Sequence, residues 1–203
     1  MLHLRFNLMT ADPAKIGDAL KFVESEVFPE VETQPGSLGL SLYRNKELGV
    51  AILESLWASP ESMHASEQMA GPARAEAVRR AAGTVAVERY RLAVFEQDAR
   101  LWPGAAMRLT RMDIEPAGME DGVDAYGDSA VPLLADTDGF RSALLLTDPQ
   151  SGHCIAESIW ANAEDLAASR SVAAAVRVDL AGTGFAVRGL EEYELAYSTA
   201  RKP

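Results

Sequence analysis

Apolar and polar side chains alternate along LHLRFNLM (2–9), the period of a strand with one buried face. The spacing then changes. PAKIGDALKFVESEVFPEV (13–31) sets Ile16, Leu20, Val23 and Val27 at helical intervals, with Asp12 as N-cap and Pro13 in the first turn. GSLGLSLYRN (36–45) and GVAILESLWA (49–58) are strand-like runs separated by the polar KEL turn, which predicts a hairpin. PESMHASEQ (60–68) and ARAEAVRRAAG (73–83) read as helices, the second ending at Gly83, and VAVERYRLAVF (85–95) closes the set as a strand.

The same order is written a second time. AMRLTRMDI, a helix through GMEDGVDAYGDSAVPLL, FRSALLLT, HCIAESIWA, EDLAASRSVAAAVRVDL and FAVRGLEEYELAYS follow in turn. At an offset of 103 positions Trp57 meets Trp160, Glu54 meets Glu157, Arg5 meets Arg108, Pro29 meets Pro132, Gly36 meets Gly139 and Tyr90 meets Tyr193, with no insertion. Matches spread over a whole half predict two copies of one domain, 1–98 and 105–200, with a linker at 99–104 punctuated by Pro103 and Gly104. The βαββαβ order is the ferredoxin-like arrangement, α+β in class. Several strands are apolar on both faces: Ala51, Leu53 and Trp57 point one way, Ile52 and Leu56 the other. The expected solution packs two such sheets face to face, a barrel-like pair within one chain.

Composition narrows the partners. A net charge of -11 over 203 residues argues against nucleic acid and anionic membrane. The single cysteine, Cys154, forms no internal disulfide and no zinc cluster. No stretch approaches the ~20 apolar residues of a membrane span, and MLHLRFNLM carries no signal-peptide pattern, so a cytoplasmic protein is expected.

The run PGSLGLSLYRNKELGVAILESLWASPESMHA resembles the proline-glycine, hairpin, tryptophan and helix segment of the antibiotic-biosynthesis monooxygenase family. DGFRSALLL and ESIWANAEDL resemble it more weakly. The family consists of dimeric α+β barrels, and related barrels include heme-degrading monooxygenases. The resemblance therefore implies a fused, intramolecular version of a homodimer, with chemistry between the sheet and its helices near the tryptophan. By that match Trp57 and Trp160 border pockets, and Asn7 takes the place of the asparagine beside the substrate of heme-degrading members. Where those members carry a metal-binding histidine, this chain has Ala75, Ala77 and Arg79, so heme ligation by the usual mode is not expected. No cofactor and no metal are implied.

The residues themselves allow sharper and blander readings. The tryptophans present in both halves suit packing as well as a pocket. Glu54 and Glu157 are expected in structural ion pairs with Arg5 and Arg108. Polar differences at the offset are more informative: Asn7 meets Thr110, Tyr43 meets Leu146, His64 meets Ala167 and Val50 meets His153. Asn7, Tyr43 and Trp57 are the candidate catalytic residues, as donors to the oxyanion of an activated phenol in an apolar pocket. Trp160 and His64 are candidate binding residues. No nucleophile elbow, dinucleotide fingerprint or phosphate loop occurs. The expected function is a cofactor-independent monooxygenase of a small aromatic or polyketide-like molecule. The alternatives are a non-catalytic barrel that binds a small apolar ligand or has a structural role, and a heme-degrading monooxygenase that lacks the usual histidine ligand. A monomer (a pseudo-dimer) and a homodimer are both compatible with the sequence.

Overall fold

A computed structural model describes residues 1–97 and 100–199. Ala99 of the expected linker, and the domain ends at Asp98 and Ala200, lie outside the described residues. The elements run β1 (His3–Thr10), α1 (Ile16–Phe22), a π-helical turn (Val23–Val27), α2 (Phe28–Glu32), β2 (Ser37–Asn45), β3 (Val50–Trp57), α3 (Pro60–Ala65), α4 (Glu67–Ala81) and β4 (Thr84–Gln97). They continue with β5 (Ala106–Asp113), a 3-10 turn (Pro116–Gly118), α5 (Met119–Ala125), a second π turn (Tyr126–Ala130), α6 (Val131–Ala135), β6 (Phe140–Thr147), β7 (His153–Trp160), α7 (Ala163–Ala168), α8 (Arg170–Gly182) and β8 (Ala186–Ser198). From β1 to β5, from α1 to α5 and from β3 to β7 the interval is 103 residues.

By proximity the chain forms two units: unit 1 takes Met1–Tyr90 and returns at Leu195, and unit 2 takes Arg91–Glu194. The boundary falls inside the two longest strands. β4 begins in unit 1 and ends in unit 2, where Arg91–Gln97 pair antiparallel with β6; the far end of β8 pairs in unit 1, where Thr199 N donates to Leu40 O at 2.9 Å. Followed from neighbour to neighbour, the strands run β1-β3-β2-β8-β5-β7-β6-β4, a closed eight-stranded antiparallel sheet. This is the α+β barrel with ferredoxin-like βαββαβ units that the sequence pattern predicts.

Each long first helix is interrupted at the same place. Pro29 and Pro132 stand one residue beyond the two π turns, and proline has no N–H and crowds the carbonyl four residues back, which lies within the turn. A π turn, with its wider hydrogen-bonded ring, absorbs that misfit. Its consequence is positional, because Val23 and Val27 in unit 1 and Tyr126 in unit 2 are aimed from it. Asp12 caps a turn rather than α1: its Oδ1 accepts from Ala14 N at 2.9 Å, and α1 begins at Ile16. At the other end α4 stops at Ala81, and the left-handed residue is Ala82 (φ 48°), not Gly83. Gly83 is needed for another reason: a Cβ there would lie 2.2 Å from Thr10 O.

The strand-to-helix corner after each tryptophan is built from short polar side chains. Ser59 accepts from Ser62 N at 3.2 Å at the start of α3, and Asn162 accepts from Glu164 N at 2.8 Å and Asp165 N at 2.9 Å at the start of α7. Gly36 and Gly139 (φ +81° each) pass so close that a Cβ would strike Ser62 and Asp165 respectively. In unit 1 the core lies between the sheet and α1, α2 and α4; Ile16, Leu20, Phe28, Leu40, Leu42 and Trp57 belong to it. Met112, Tyr126, Leu145, Trp160, Val176 and Phe185 belong to its counterpart in unit 2.

Candidate functional site

Alternation along the strands of unit 1 decides which residues meet the helices. Arg5, Asn7 and Met9 of β1, Leu40 and Leu42 of β2, and Ala51, Leu53 and Ser55 of β3 share one face. Leu20, Val23, Val27 and Val31 descend on it from one side, and Ala70, Ala73 and Ala77 of α4 from the other. Because these three α4 residues carry only methyl groups, the gap between helix and sheet stays open. The innermost part offers about 60 Å³ to the centres of water molecules, and with its mouth the empty space is about 670 Å³.

One end of this apolar cavity is polar. The Asn7 amide donates from Nδ2 to Leu53 O at 3.0 Å, which fixes its orientation and leaves Oδ1 buried without a partner. The Arg5 guanidinium, 3 % exposed, donates to Met63 O and to Ser66 Oγ (2.9 Å) and lies 3.3 Å from Glu67. It thereby satisfies groups at the junction of α3 and α4 that the helices leave open. Arg74 also pairs with Glu67, and Arg89 lies 3.8 Å from the same carboxylate. Three guanidiniums thus share one carboxylate. Burial, and then repulsion from Arg74 and Arg89, pull Arg5 down to about 10; burial and Arg89 lower Arg74 too. Arg5 remains a cation at neutral pH.

The corresponding space in unit 2 is about half as large. It measures about 30 Å³ by the same criterion, with about 350 Å³ including its mouth. Tyr126 stands where unit 1 has Val23, Val176 where it has Ala73, and Leu180 where it has Ala77. Tyr126 is fully buried and its hydroxyl donates to Leu144 O at 3.1 Å. Burial and the neighbouring Glu157 raise its phenol well above the ordinary value. Arg108 repeats the role of Arg5, donating to Ser169 Oγ (2.8 Å) and Leu166 O (2.7 Å). The surrounding charges are exchanged: Glu67 corresponds to Arg170, and Arg89 to Glu192. Glu192 lies 3.2 Å from Arg108 and 3.4 Å from Arg170.

Of the residues singled out from sequence, Asn7 lines the cavity of unit 1. Trp57 is wholly buried beside it, with Nε1 donating to Ser55 Oγ at 2.9 Å and Arg5 5.5 Å from its ring; Ser55, rather than the indole, reaches the cavity. Tyr43 is buried on the opposite face of β2 from Leu40 and Leu42. His64 is exposed on α3. Trp160 is buried in unit 2, its Nε1 donating to Ser158 Oγ at 3.2 Å. His153 is exposed and 2.8 Å from Asp113. Of these candidates the structure therefore places Asn7 at the cavity, and not Trp57, Tyr43 or His64. The expected pairing of Arg5 with Glu54 does not occur. Register sets Arg5 opposite Ser55 and Phe6 opposite Glu54, so Arg5 and Glu54 leave opposite faces of the sheet. The same register separates Arg108 from Glu157.

Arg74 lines the cavity and is the charged residue there, besides Arg5, that sequence reasoning passed over as a site candidate. Its signal was present, since Arg177 recurs at the offset, but nothing in a helical RAEAVRR run marks which arginine turns inward. The residues present do not fit a heme held through an imidazole: α4 offers the cavity Ala70, Ala73, Ala77 and Arg74. Among the described residues no group of three or more His, Cys, Asp or Glu side chains is placed to hold a metal ion, and no helix is long and apolar enough to cross a membrane.

No family model matches the chain. It is 28% identical over 204 residues to uncharacterized protein Rv2557 of Mycobacterium tuberculosis (strain ATCC 25618 / H37Rv), covering 100% of this chain and 91% of that one. It is also 28% identical over 205 residues to Rv2558 of the same strain, covering 100% and 87%. Among solved structures it is similar to an anthrone oxidase-like protein (TM-score 0.72, 18% identity, 98% of this chain and 93% of that chain). It also resembles a ferredoxin fold protein related to antibiotic biosynthesis monooxygenases from Listeria monocytogenes 4b F2365 (TM-score 0.55, 9% identity, 96% and 95%). A third is the heme-degrading enzyme LmHde from Listeria monocytogenes (TM-score 0.55, 8% identity, 94% and 98%). The chain has the fold of these monooxygenase-like barrels.

Proposed function

We propose that unit 1 is a cofactor-independent monooxygenase site for a small aromatic or polyketide-like molecule. The observation that carries this reading is the open apolar cavity, closed at one end by the unpartnered Oδ1 of Asn7 and by surplus guanidinium charge. A phenol, the enol form of an anthrone, would seat its rings among Leu42, Val23, Val27 and Ala73, and donate its O–H to Asn7 Oδ1. Loss of that proton to solvent through the cavity mouth leaves an enolate, and the guanidiniums lower the cost of that negative charge in a low-dielectric site. Such a carbanion-like anion reacts with dioxygen directly. An anthrone methylene loses two hydrogens and gains one oxygen as a carbonyl, and the second oxygen atom leaves as water. The reaction of the anthrone oxidase-like neighbour's name is of this type, and the shared fold supports carrying it here.

A second reading, a unit that binds such a ligand without turning it over, is favoured by one observation. The cavity is lined by no carboxylate and no imidazole, so a proton leaving the ligand has no titratable acceptor in the wall.

Oxygen uptake with an anthrone separates the two. The oxygenase reading expects one dioxygen consumed per anthrone, at a rate that falls at least about tenfold in Asn7→Ala. A ligand-induced rise in melting temperature with no uptake supports the binding reading. If a panel of hydrophobic phenols neither turns over nor shifts the melting temperature, both fail.

A further inference from the structure

We infer that the ligand of unit 1 carries a carboxylate as well as a hydroxyl, and that Arg74 reads that charge. This rests on the reading that the cavity takes an aromatic ligand, and it names the class: a hydroxylated aromatic acid. Three buried polar atoms around the cavity have no partner, and they differ in kind. Asn7 Oδ1 is an acceptor, whereas Arg5 Nε and Arg74 Nη1 are donors. A buried polar atom left unsatisfied is costly, so three at one small apolar space point to a ligand with matching groups. The acceptor calls for an O–H. The two guanidinium nitrogens call for an acceptor, and charge decides which acceptor.

Glu67 is the carboxylate that the structure sets among Arg5, Arg74 and Arg89. Three cations against one anion leave two positive charges, with Arg5 nearly inaccessible and the Arg74 side chain 17 % exposed. A second carboxylate would relieve that repulsion and complete a fork of charge-assisted bonds. Unit 2 supplies the control. It holds the same four charges with the ion pair inverted, but Arg170 and Glu192 are open to solvent (66 % and 40 % exposed), and neither Arg108 nor Arg177 has a buried nitrogen without a partner. In both units two arginines line the space, and in unit 1 they keep buried nitrogens without a partner. The chain as a whole carries -11, so any preference for an anion must be local.

The test compares 6-hydroxy-2-naphthoate with its uncharged carboxamide by titration calorimetry on the full chain. The naphthoate should bind at least ten times more tightly at low salt. Arg74→Met should bring the two within about twofold, chiefly by weakening the naphthoate. Glu67→Gln, which removes the competing carboxylate, should strengthen naphthoate binding several-fold and leave the carboxamide alone. Should Arg74→Met fail to fold by circular dichroism, Glu67→Gln decides. Equal binding of the two compounds to the wild type, or a preference unchanged in the folded variants, overturns the inference while leaving the cavity reading intact. If neither compound binds, both fall.

Discussion

The two units place a sheet, an interrupted helix and an alanine-rich helix in the same order, yet the space in one is about twice that in the other. Three side chains work toward that difference. Val23, Ala73 and Ala77 leave the cavity of unit 1 open; the larger Tyr126, Val176 and Leu180 narrow that of unit 2. The scaffold is common to both: the guanidinium that ties the helix junction to the first strand, the tryptophan bonded to a serine two residues back, and the π turn before a proline. Function on this fold is therefore decided by the volume of a few residues rather than by the motif that both units share.

The largest expected effect comes from enlarging the narrower space. Tyr126→Val removes a buried ring and its hydrogen bond to Leu144 O, and should cost about 3 kcal/mol in urea unfolding. Val23→Ala should cost about 1 kcal/mol, because its site already adjoins empty space. Comparable losses would mean that the first unit is as tightly packed as the second.

Next come the tryptophans. If both are scaffold, Trp57→Phe and Trp160→Phe should each lose about 1–2 kcal/mol, to within experimental error of one another. A much smaller stability loss for Trp57, accompanied by loss of ligand binding, would move that indole from scaffold to site.

Transplanting the plug is gentler. Ala73→Val with Ala77→Leu should abolish the ligand-induced shift in melting temperature and raise stability by about 1 kcal/mol. Retained binding would place the ligand elsewhere.

The smallest effect is a pH limb. The Tyr126 phenol is raised from its ordinary value of 10 by burial and by Glu157, so above that value the unfolded chain sheds a proton that the folded chain keeps. Stability is then fully present below pH 10 and falls as pH rises; at about pH 10.5 the loss is about 0.8 kcal/mol. Tyr126→Phe should remove that part of the alkaline limb. An unchanged limb would show that Tyr126 titrates as an exposed phenol does.

Much of the architecture is legible in the chain because it rests on periodicity. The alternation in LHLRFNLM and GVAILESLWA, and the interval between Trp57 and Trp160, lead to the strands, their faces and the second set of elements. What periodicity does not carry is the exchange of strand ends between units, which depends on the lengths of β4 and β8, nor the π turns, which depend on where a proline falls within a helix. Asn7 was legible as a polar difference at the offset. Tyr43 and His64 were equally visible differences, but parity along β2 and solvent exposure on α3 take them away from the cavity. The decisive contrasts, Val23 with Tyr126 and Ala77 with Leu180, are substitutions among largely apolar residues. They matter only once the helices are known to stand over an empty space.

Amide hydrogen exchange with and without 6-hydroxy-2-naphthoate tests the asymmetry of the two units most directly. Added protection is expected in β1, β3 and α4, around Asn7, Leu53 and Ala73–Ala77, with none in β5, β7 and α8. Equal protection around Thr110, Ala156 and Val176–Leu180 would contradict the account, because it would make unit 2 a binding site as well.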